Sequence, residues 1–272
     1  MNLYRGCLHG CIYCDSRSLC YDFKHDFTDI EIKENALEIL EQELLKKKKK
    51  CMLGTGSMTD PYMSIENKYE YTRKSLLLAL KYDFGFSFIT KSANCLRDLN
   101  LIKEINNKTK CVVQMTLTTY DETLCKILEP NVSTTKERFE ALKVFRDNNI
   151  PTIVWLSPIL PFINDTLENL KGILNYCVEA KVYGILLFDF GLTLREGNRE
   201  YFFQNLDKYF PNLKEKYIKI YGNSYSLRSP NADILLKEFK KVCQENKIEI
   251  DVNKIFTYLN TLENKKEIFF DL

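Results

Sequence analysis

Short runs of β-branched and aromatic residues alternate along the chain with longer amphipathic stretches, a pattern that predicts repeated strand–helix units. The runs predict strands at 50–56, 84–90, 110–118, 151–157 and 182–189. The amphipathic stretches predict helices at 31–49, 65–82, 94–107, 134–148 and 165–180. Strands that alternate with helices in this way indicate an α/β fold with a parallel sheet.

The two ends of the chain add to this pattern. Residues 1–6 are long enough for a short sixth strand. Helical stretches near 197–209, 212–221 and 230–245 predict a helical C-terminal extension. Because no linker rich in Gly, Pro or Ser divides the chain, we expect a barrel over 1–195 and an extension over 196–272 that packs on it.

Composition narrows the class of protein. The 272 residues carry 39 basic and 37 acidic side chains, a net charge of +2, so a nucleic-acid role would need a local basic face. The lysine run at 46–50 is expected to be the solvated end of the first helix. The apolar runs are too short to span a membrane and no secretory signal is visible, so we expect a cytoplasmic protein without a membrane partner.

Three of the ten cysteines, Cys7, Cys11 and Cys14, form the pattern C-x-x-x-C-x-x-C, whereas the other seven lie singly. Three thiolates so close together indicate a metal site that is one ligand short of a structural zinc site or a fully protein-ligated four-iron cluster. Gly6 and Gly10 permit the tight loop that such convergence needs. Cys20 is the only nearby thiol that could be a fourth ligand. A non-catalytic iron–sulfur or zinc-binding protein is therefore an alternative.

With Tyr13 as the aromatic residue, the segment reads C-x-x-x-C-x-aromatic-C and resembles the signature of the radical S-adenosylmethionine (SAM) superfamily. The resemblance implies a partial (β/α)6 barrel and a [4Fe-4S] cluster on Cys7, Cys11 and Cys14, with SAM at the open iron. It also implies reductive cleavage of SAM to a 5′-deoxyadenosyl radical, and an electron donor such as a flavodoxin or a ferredoxin. The cofactors would supply the chemistry, and the protein would orient them.

In such barrels the reactive end is the carboxyl end of the strands, so the residues there are the candidates for cofactor binding. Thr59 or Asp60 could accept a hydrogen bond from the methionine amino group, although Asp60 could instead cap a turn before Pro61. Lys91 could pair with the methionine carboxylate. The candidate cofactor-binding residues are Tyr13, Ser57, Thr59, Asp60, Lys91, Thr116 and Thr118. Thr116 and Thr118 would contact the ribose, while Glu129 and Arg138 could form a structural ion pair.

The stretch from Asn2 to Tyr21, together with Thr90-Lys91-Ser92, resembles spore photoproduct lyases, a subgroup often labelled DNA repair photolyases. Those enzymes reverse a methylene-bridged thymine dimer, and a cysteine at the exit of the second strand returns hydrogen to the product radical. Ser57 occupies that place here, and Cys51 lies at the opposite end of the strand. The resemblance therefore implies a radical SAM enzyme of unknown substrate, with DNA repair as an alternative.

Overall fold

The computed structural model describes residues 1–262. The strands within this part of the chain are β1 (Tyr4–Arg5), β2 (Glu31–Ile32), β3 (Met52–Thr55), β4 (Gly85–Thr90), β5 (Cys111–Thr116), β6 (Thr152–Trp155), β7 (Gly184–Leu186), β8 (Gly191–Thr193) and β9 (Ser226–Arg228). Strands β3 to β7 form one parallel sheet in sequence order, and β8 pairs with β9 in a separate antiparallel ribbon. The five predicted barrel strands are confirmed.

Helices connect and cover the sheet. The α-helices of residues 1–262 are α1 (Ala36–Lys46), α2 (Glu66–Tyr69), α3 (Tyr71–Lys81), α4 (Leu99–Lys108), α5 (Glu122–Leu128), α6 (Thr135–Asp147), α7 (Leu167–Glu179), α8 (Asn198–Tyr209), α9 (Leu213–Tyr221), α10 (Ala232–Glu245) and α11 (Val252–Asn260). The alternation of β3–β7 with these helices is the α/β, partial-barrel fold expected from the sequence. Helices α5 and α11 were not predicted.

The sheet has an outer and an inner face, and β5 shows the difference. All six of its residues are buried. Val113 and Met115 face the core shared with the outer helices, whereas Val112 packs against α11 on the inner face. Because side chains alternate along a strand, Gln114 and Thr116 follow Val112 on the inner face toward the carboxyl end. Helix α11 therefore covers the inner face at the amino end and leaves the carboxyl end for a site.

The expected sixth barrel strand at residues 1–6 is wrong. Tyr4 and Arg5 pair antiparallel with β2 and do not join the five-stranded sheet. The chain turns directly after Arg5 at Gly6, whose φ of 88° lies in the left-handed region. The Cys7 amide then donates to the carbonyl of Phe27 at 3.0 Å. The first helix accordingly begins at Ala36, because Glu31 and Ile32 are used in β2.

The helix predicted over 65–82 is broken in two at Glu70, whose φ of 54° is left-handed. The buried carboxylate of Glu66 explains the break. It accepts hydrogen bonds from the amides of Thr72 and Arg73 in the first turn of α3, at 3.1 and 3.2 Å, and from the Tyr4 hydroxyl. Glu66 thus caps α3 from outside, which a continuous helix would prevent.

The C-terminal helices predicted near 197–209, 212–221 and 230–245 are confirmed as α8, α9 and α10. Phe202, Leu206 and Tyr217 of this segment form one apolar cluster with Ile12 and Tyr13 of the cysteine segment. The boundary near residue 195 stays a prediction, and residues 263–272 of the expected extension lie outside the described part. In residues 1–262 no helix combines the length and the apolar character needed to cross a bilayer.

We predict different effects of alanine at Gly54, which lies within β3, and at Gly56, which follows the strand. A Cβ on Gly56, which has φ 100°, would lie 2.2 Å from the carbonyl oxygen of Ile89, whereas a Cβ on Gly54 would meet no atom within 4 Å. Gly56→Ala should lower the free energy of unfolding by at least about 2 kcal/mol, and Gly54→Ala should change it by no more than about 1 kcal/mol. Denaturant unfolding checks this, and equal effects of the two substitutions would contradict it.

Candidate active site at the carboxyl end of the sheet

A cavity of about 560 Å³ opens at the carboxyl end of the parallel sheet. Each of the five strands contributes at least one residue at or just after its end, namely Ser57, Lys91, Thr116, Ser157 and Phe188. The segment Tyr13 to Ser16 forms a second side, and the β8–β9 ribbon forms a third. This is the end of a β/α barrel at which active sites are found.

The cysteine loop, residues 6–14, runs along the border of this cavity. Cys7 and Cys11 are buried, while Cys14 is half-buried and lines the cavity. Gly10, like Gly6, has positive φ, at 69°. The predicted need for glycine is confirmed at both positions, and a Cβ on Gly6 would come within 2.6 Å of the Phe27 carbonyl oxygen.

The surroundings of Cys7 and Cys11 disfavour the thiolate form unless a positively charged group is bound. Burial, followed by the charge of Asp60, raises the pKa of Cys7 to about 11, and burial also raises the pKa of Cys11. Such thiols ionise when iron or another metal ion is bound to them. Within residues 1–262, no three Cys, His, Asp or Glu side chains converge as ligands of a single metal ion. The zinc alternative and the cluster on the three cysteines both stay predictions.

Cys20, the candidate fourth ligand, lies elsewhere. Its side chain is exposed, and its sulfur accepts a hydrogen bond from the Arg195 guanidinium at 3.5 Å. Cys20 therefore does not join the three thiols of the cysteine loop, and the open iron position stays a prediction.

Asp60 joins three parts of the site. Its Oδ1 accepts hydrogen bonds from the Tyr62 amide at 2.8 Å and the Thr90 hydroxyl at 2.7 Å, and its Oδ2 accepts one from the Lys91 amide at 2.7 Å. Nδ1 of His9, in the middle of the cysteine loop, lies 3.4 Å from Oδ2. Asp60 is buried and does not line the cavity. Its expected contact with a methionine amino group stays a prediction, beside the turn-capping role that the sequence also allowed.

Lys91 points from the end of β4 into the cavity. Its ammonium lies 5.9 Å from the centre of the Tyr13 ring. Burial would lower the pKa of Lys91, but the charges of Cys11 and Glu129 outweigh burial, and the pKa is raised. Lys91 therefore stays a cation beside the loop and is available for an anionic group in the cavity.

Tyr13 begins a buried chain of polar contacts. Its hydroxyl donates to Glu129, and Glu129 accepts from the Arg138 guanidinium, which also donates to the Thr116 carbonyl at 2.6 Å. Glu129 and Arg138 are fully buried, so the predicted ion pair is confirmed. Burial opposes ionisation of Glu129, but the charges of Arg138 and Lys91 outweigh it and lower the pKa. The chain connects the cysteine loop to the end of β5.

The seven candidate cofactor-binding residues divide into two groups. Tyr13, Ser57, Lys91 and Thr116 line the cavity, whereas Thr59, Asp60 and Thr118 are buried behind it. The Thr118 carbonyl accepts from the side-chain amides of Asn164 and Asn169, both at 2.9 Å, which fixes the turn after β5.

Two aromatic residues of the cavity were not singled out from the sequence. Trp155 donates its indole N–H to Gln114 at 2.9 Å, and Phe188, whose surface is 64% exposed, lies 6.0 Å from the Trp155 ring. Both lie at the carboxyl ends of correctly predicted strands, so the rule that identified Lys91 would have identified them. The β8–β9 ribbon gave no such signal, because its two short strands are far apart in sequence.

We predict that Arg138→Met destabilises the protein strongly. Removing the guanidinium leaves the buried Glu129 carboxylate without its cation, which should lower the free energy of unfolding by about 3–5 kcal/mol. Lys46→Met is the control, because Lys46 and Glu43 form an exposed pair with 69% and 65% of their side chains accessible, worth less than about 0.5 kcal/mol. Denaturant titrations of both variants check this, and similar losses would contradict it.

Known proteins resemble this chain in sequence. A model of the radical SAM superfamily matches residues 1–177, which is more than half of the chain. An uncharacterized protein of Mycobacterium tuberculosis is 29% identical over 227 residues, covering 81% of this chain and 66% of the relative. An uncharacterized protein of Methanocaldococcus jannaschii is 29% identical over 167 residues, covering 61% of each chain. The chain thus spans slightly less than two thirds of the length of these relatives.

Solved structures show the same fold. A spore photoproduct lyase variant with bound AdoMet and dinucleoside spore photoproduct superposes with a TM-score of 0.65 at 15% identity, over 90% of this chain and 72% of the other. A spore photoproduct lyase complexed with the dinucleoside spore photoproduct gives 0.62 at 14% identity, over 89% and 72%. The superfamily implies SAM and a [4Fe-4S] cluster as cofactors, as well as a reductant and a substrate. The family match and the fold agree with the arrangement of the cysteine loop, and the chain belongs to the radical SAM superfamily of enzymes.

Proposed function

We propose that Cys7, Cys11 and Cys14 bind a [4Fe-4S] cluster and that the chain cleaves SAM reductively to act on a substrate in the cavity. One observation carries the proposal: the loop that holds three thiols without a fourth borders a cavity at the carboxyl end of a parallel sheet. When bound, the cluster and SAM would supply the electron and the 5′-deoxyadenosyl radical. A small redox protein such as a flavodoxin or a ferredoxin would supply the electron to the cluster.

The residues of the chain would bind and orient SAM. The Lys91 ammonium suits the methionine carboxylate, because a charge-assisted hydrogen bond is favourable where the lysine stays ionised. Thr116 and Ser57 offer hydroxyl groups to the hydroxyls of the ribose or to the methionine moiety. Gly56 brings the backbone after β3 close to Ile89 and so leaves room above it.

The wall opposite these residues would face the substrate. Phe188 and Trp155 present aromatic surface, and the β8–β9 ribbon adds Ser226 and Arg228. Arg228 is not a free cation, because it pairs with Asp189 at 3.0 Å and Asp233 at 2.7 Å. A substrate would thus meet aromatic surface and a cluster of one guanidinium with two carboxylates.

We predict that reconstituted protein cleaves SAM and that this depends on the loop and not on Cys20. After anaerobic loading with iron and sulfide and reduction with dithionite, the chain should form 5′-deoxyadenosine. Cys11→Ser should abolish both the cluster absorbance and the product. Cys20→Ser should retain both, because Cys20 is exposed and bonded to Arg195. Loss of the cluster in Cys20→Ser, or a loaded cluster that never cleaves SAM, would instead support a non-catalytic iron–sulfur protein.

Repair of the spore photoproduct is a narrower function that the structural likeness to spore photoproduct lyase raises. The cavity presents Ser57 where those enzymes are expected to have a thiol, and Cys51 lies before β3 at the opposite end of the sheet. An O–H bond is much stronger than an S–H bond, so Ser57 would not return hydrogen to a carbon radical.

We therefore predict that the reconstituted protein forms no repaired thymidine product from the dinucleoside spore photoproduct, while it still forms 5′-deoxyadenosine. Chromatography of both products in one reaction checks this. Formation of the thymidine product by the wild-type chain would overturn the prediction. The Ser57→Cys variant, assayed in parallel, shows whether a thiol at this position is sufficient for repair.

A further inference from the structure

Residues 128–131 run beside the cysteine loop. The Ile12 amide donates to the Leu128 carbonyl at 3.0 Å, and the Asn131 amide donates to the His9 carbonyl at 3.2 Å. Glu129 lies between these two contacts. These backbone hydrogen bonds, one before and one after Glu129, hold its segment against the loop.

Both oxygens of the Glu129 carboxylate have partners. Oε1 accepts from the Tyr13 hydroxyl, and Oε2 accepts from the Arg138 guanidinium. Arg138 also donates to the Cys125 sulfur at 3.2 Å and to the Thr116 carbonyl at 2.6 Å. The buried Glu129–Arg138 pair thus connects Tyr13, the loop residue next to Cys14, to the carboxyl end of β5.

A pair of apolar side chains could hold these segments together at a lower cost. Burying two ions is expensive, and replacing a buried ion pair with well-packed apolar residues is often neutral or stabilising. Packing alone therefore does not account for the charges of Glu129 and Arg138 beside the cysteine loop. Their position next to the loop points to an electrostatic effect on the loop itself.

Charged side chains surround the loop. The Tyr13 hydroxyl donates to Glu129, and the Lys91 ammonium lies 5.9 Å from the centre of the Tyr13 ring. Asp60, which accepts from the Lys91 amide at 2.7 Å, lies 3.4 Å from Nδ1 of His9. Because the surroundings are buried, these interactions are screened much less than surface ones.

We propose that Glu129 is a positioning residue, which holds the cysteine loop through Tyr13, and that the Glu129–Arg138 pair sets the electrostatic potential at the cluster and hence its reduction potential. This inference rests on the proposed function, because it requires a cluster on Cys7, Cys11 and Cys14. Reduction adds one electron to the cluster. A nearby negative charge opposes that step and lowers the reduction potential, while a nearby positive charge raises it.

The test is a redox titration of the reconstituted cluster, followed by electron paramagnetic resonance. Glu129→Gln keeps the shape and an acceptor for Tyr13 but removes the negative charge, so the potential should rise. Arg138→Met is then added to the Glu129→Gln chain, so that no carboxylate is left unpaired, and the potential should fall back toward the wild-type value. Asp98→Asn is the matched control, because Asp98 is also a fully buried carboxylate, paired with Arg73 and Arg97. It should leave the potential unchanged.

Tyr13→Phe separates positioning from charge. It removes one hydroxyl, keeps both charges, and frees the aromatic ring that lines the cavity. We expect a several-fold rise in the KM for SAM, with kcat little changed and a potential shift smaller than that of Glu129→Gln.

The outcomes are distinguishable from failure of the proposed function. If the wild-type chain loads no cluster or forms no 5′-deoxyadenosine, the proposed function fails. If it does both, but Glu129→Gln leaves the potential unchanged or lowers it, the electrostatic role is overturned. Equal shifts in Glu129→Gln and Asp98→Asn would likewise overturn it, because they would reflect loosening of the fold. An unchanged KM for SAM in Tyr13→Phe would overturn the positioning role.

Discussion

The site depends on two buried carboxylates that hold the cysteine loop against the sheet. Asp60 contacts the loop at His9 and connects it to the ends of β3 and β4. Glu129 contacts it at Tyr13 and connects it, through Arg138, to the end of β5. The loop has little regular structure of its own, so these long-range contacts fix where its three thiols lie relative to the cavity. The Tyr13–Glu129 contact is a charge-assisted hydrogen bond, which is stronger than a neutral one.

Local patterns predicted the parts of the fold that local forces determine. The strands β3 to β7 and their helices follow from hydrophobic periodicity, and the positive φ values of Gly6 and Gly10 follow from the need to curl the loop. The break at Glu70 could not be predicted, because it depends on Tyr4 and Glu66, which are 62 residues apart. Residues 1–6 were misassigned for a related reason: their partner in space is β2, and the sequence of a two-residue strand does not identify its partner.

The candidate site likewise contains residues that local patterns predict and residues that they do not. Tyr13, Ser57, Lys91 and Thr116 could be placed from the position of strands and motifs alone, and they lie on the cavity. Thr118 was placed by the same rule, but the chain has already left the sheet, and two asparagines of a later segment hold its carbonyl. The β8–β9 ribbon could not be predicted, because α8 and α9 separate its two short strands along the chain. The wall proposed to face the substrate is therefore the part about which the sequence says least.

Buried charge by itself does not identify function in this chain. Glu66 and Asp98 are as deeply buried as Glu129, and they are paired with Arg97. Their hydrogen bonds have structural consequences, since Glu66 caps α3 and Asp98 accepts from Tyr62. What distinguishes Glu129 is its neighbour: its partner Tyr13 lies between two of the three clustered cysteines, and its charge acts on Cys11. With the proposed cluster bound, the loop thiols would be thiolates, and a carboxylate beside them would oppose their ionisation. Packing alone does not require a carboxylate at this place, whereas the proposed control of the charge at the loop does.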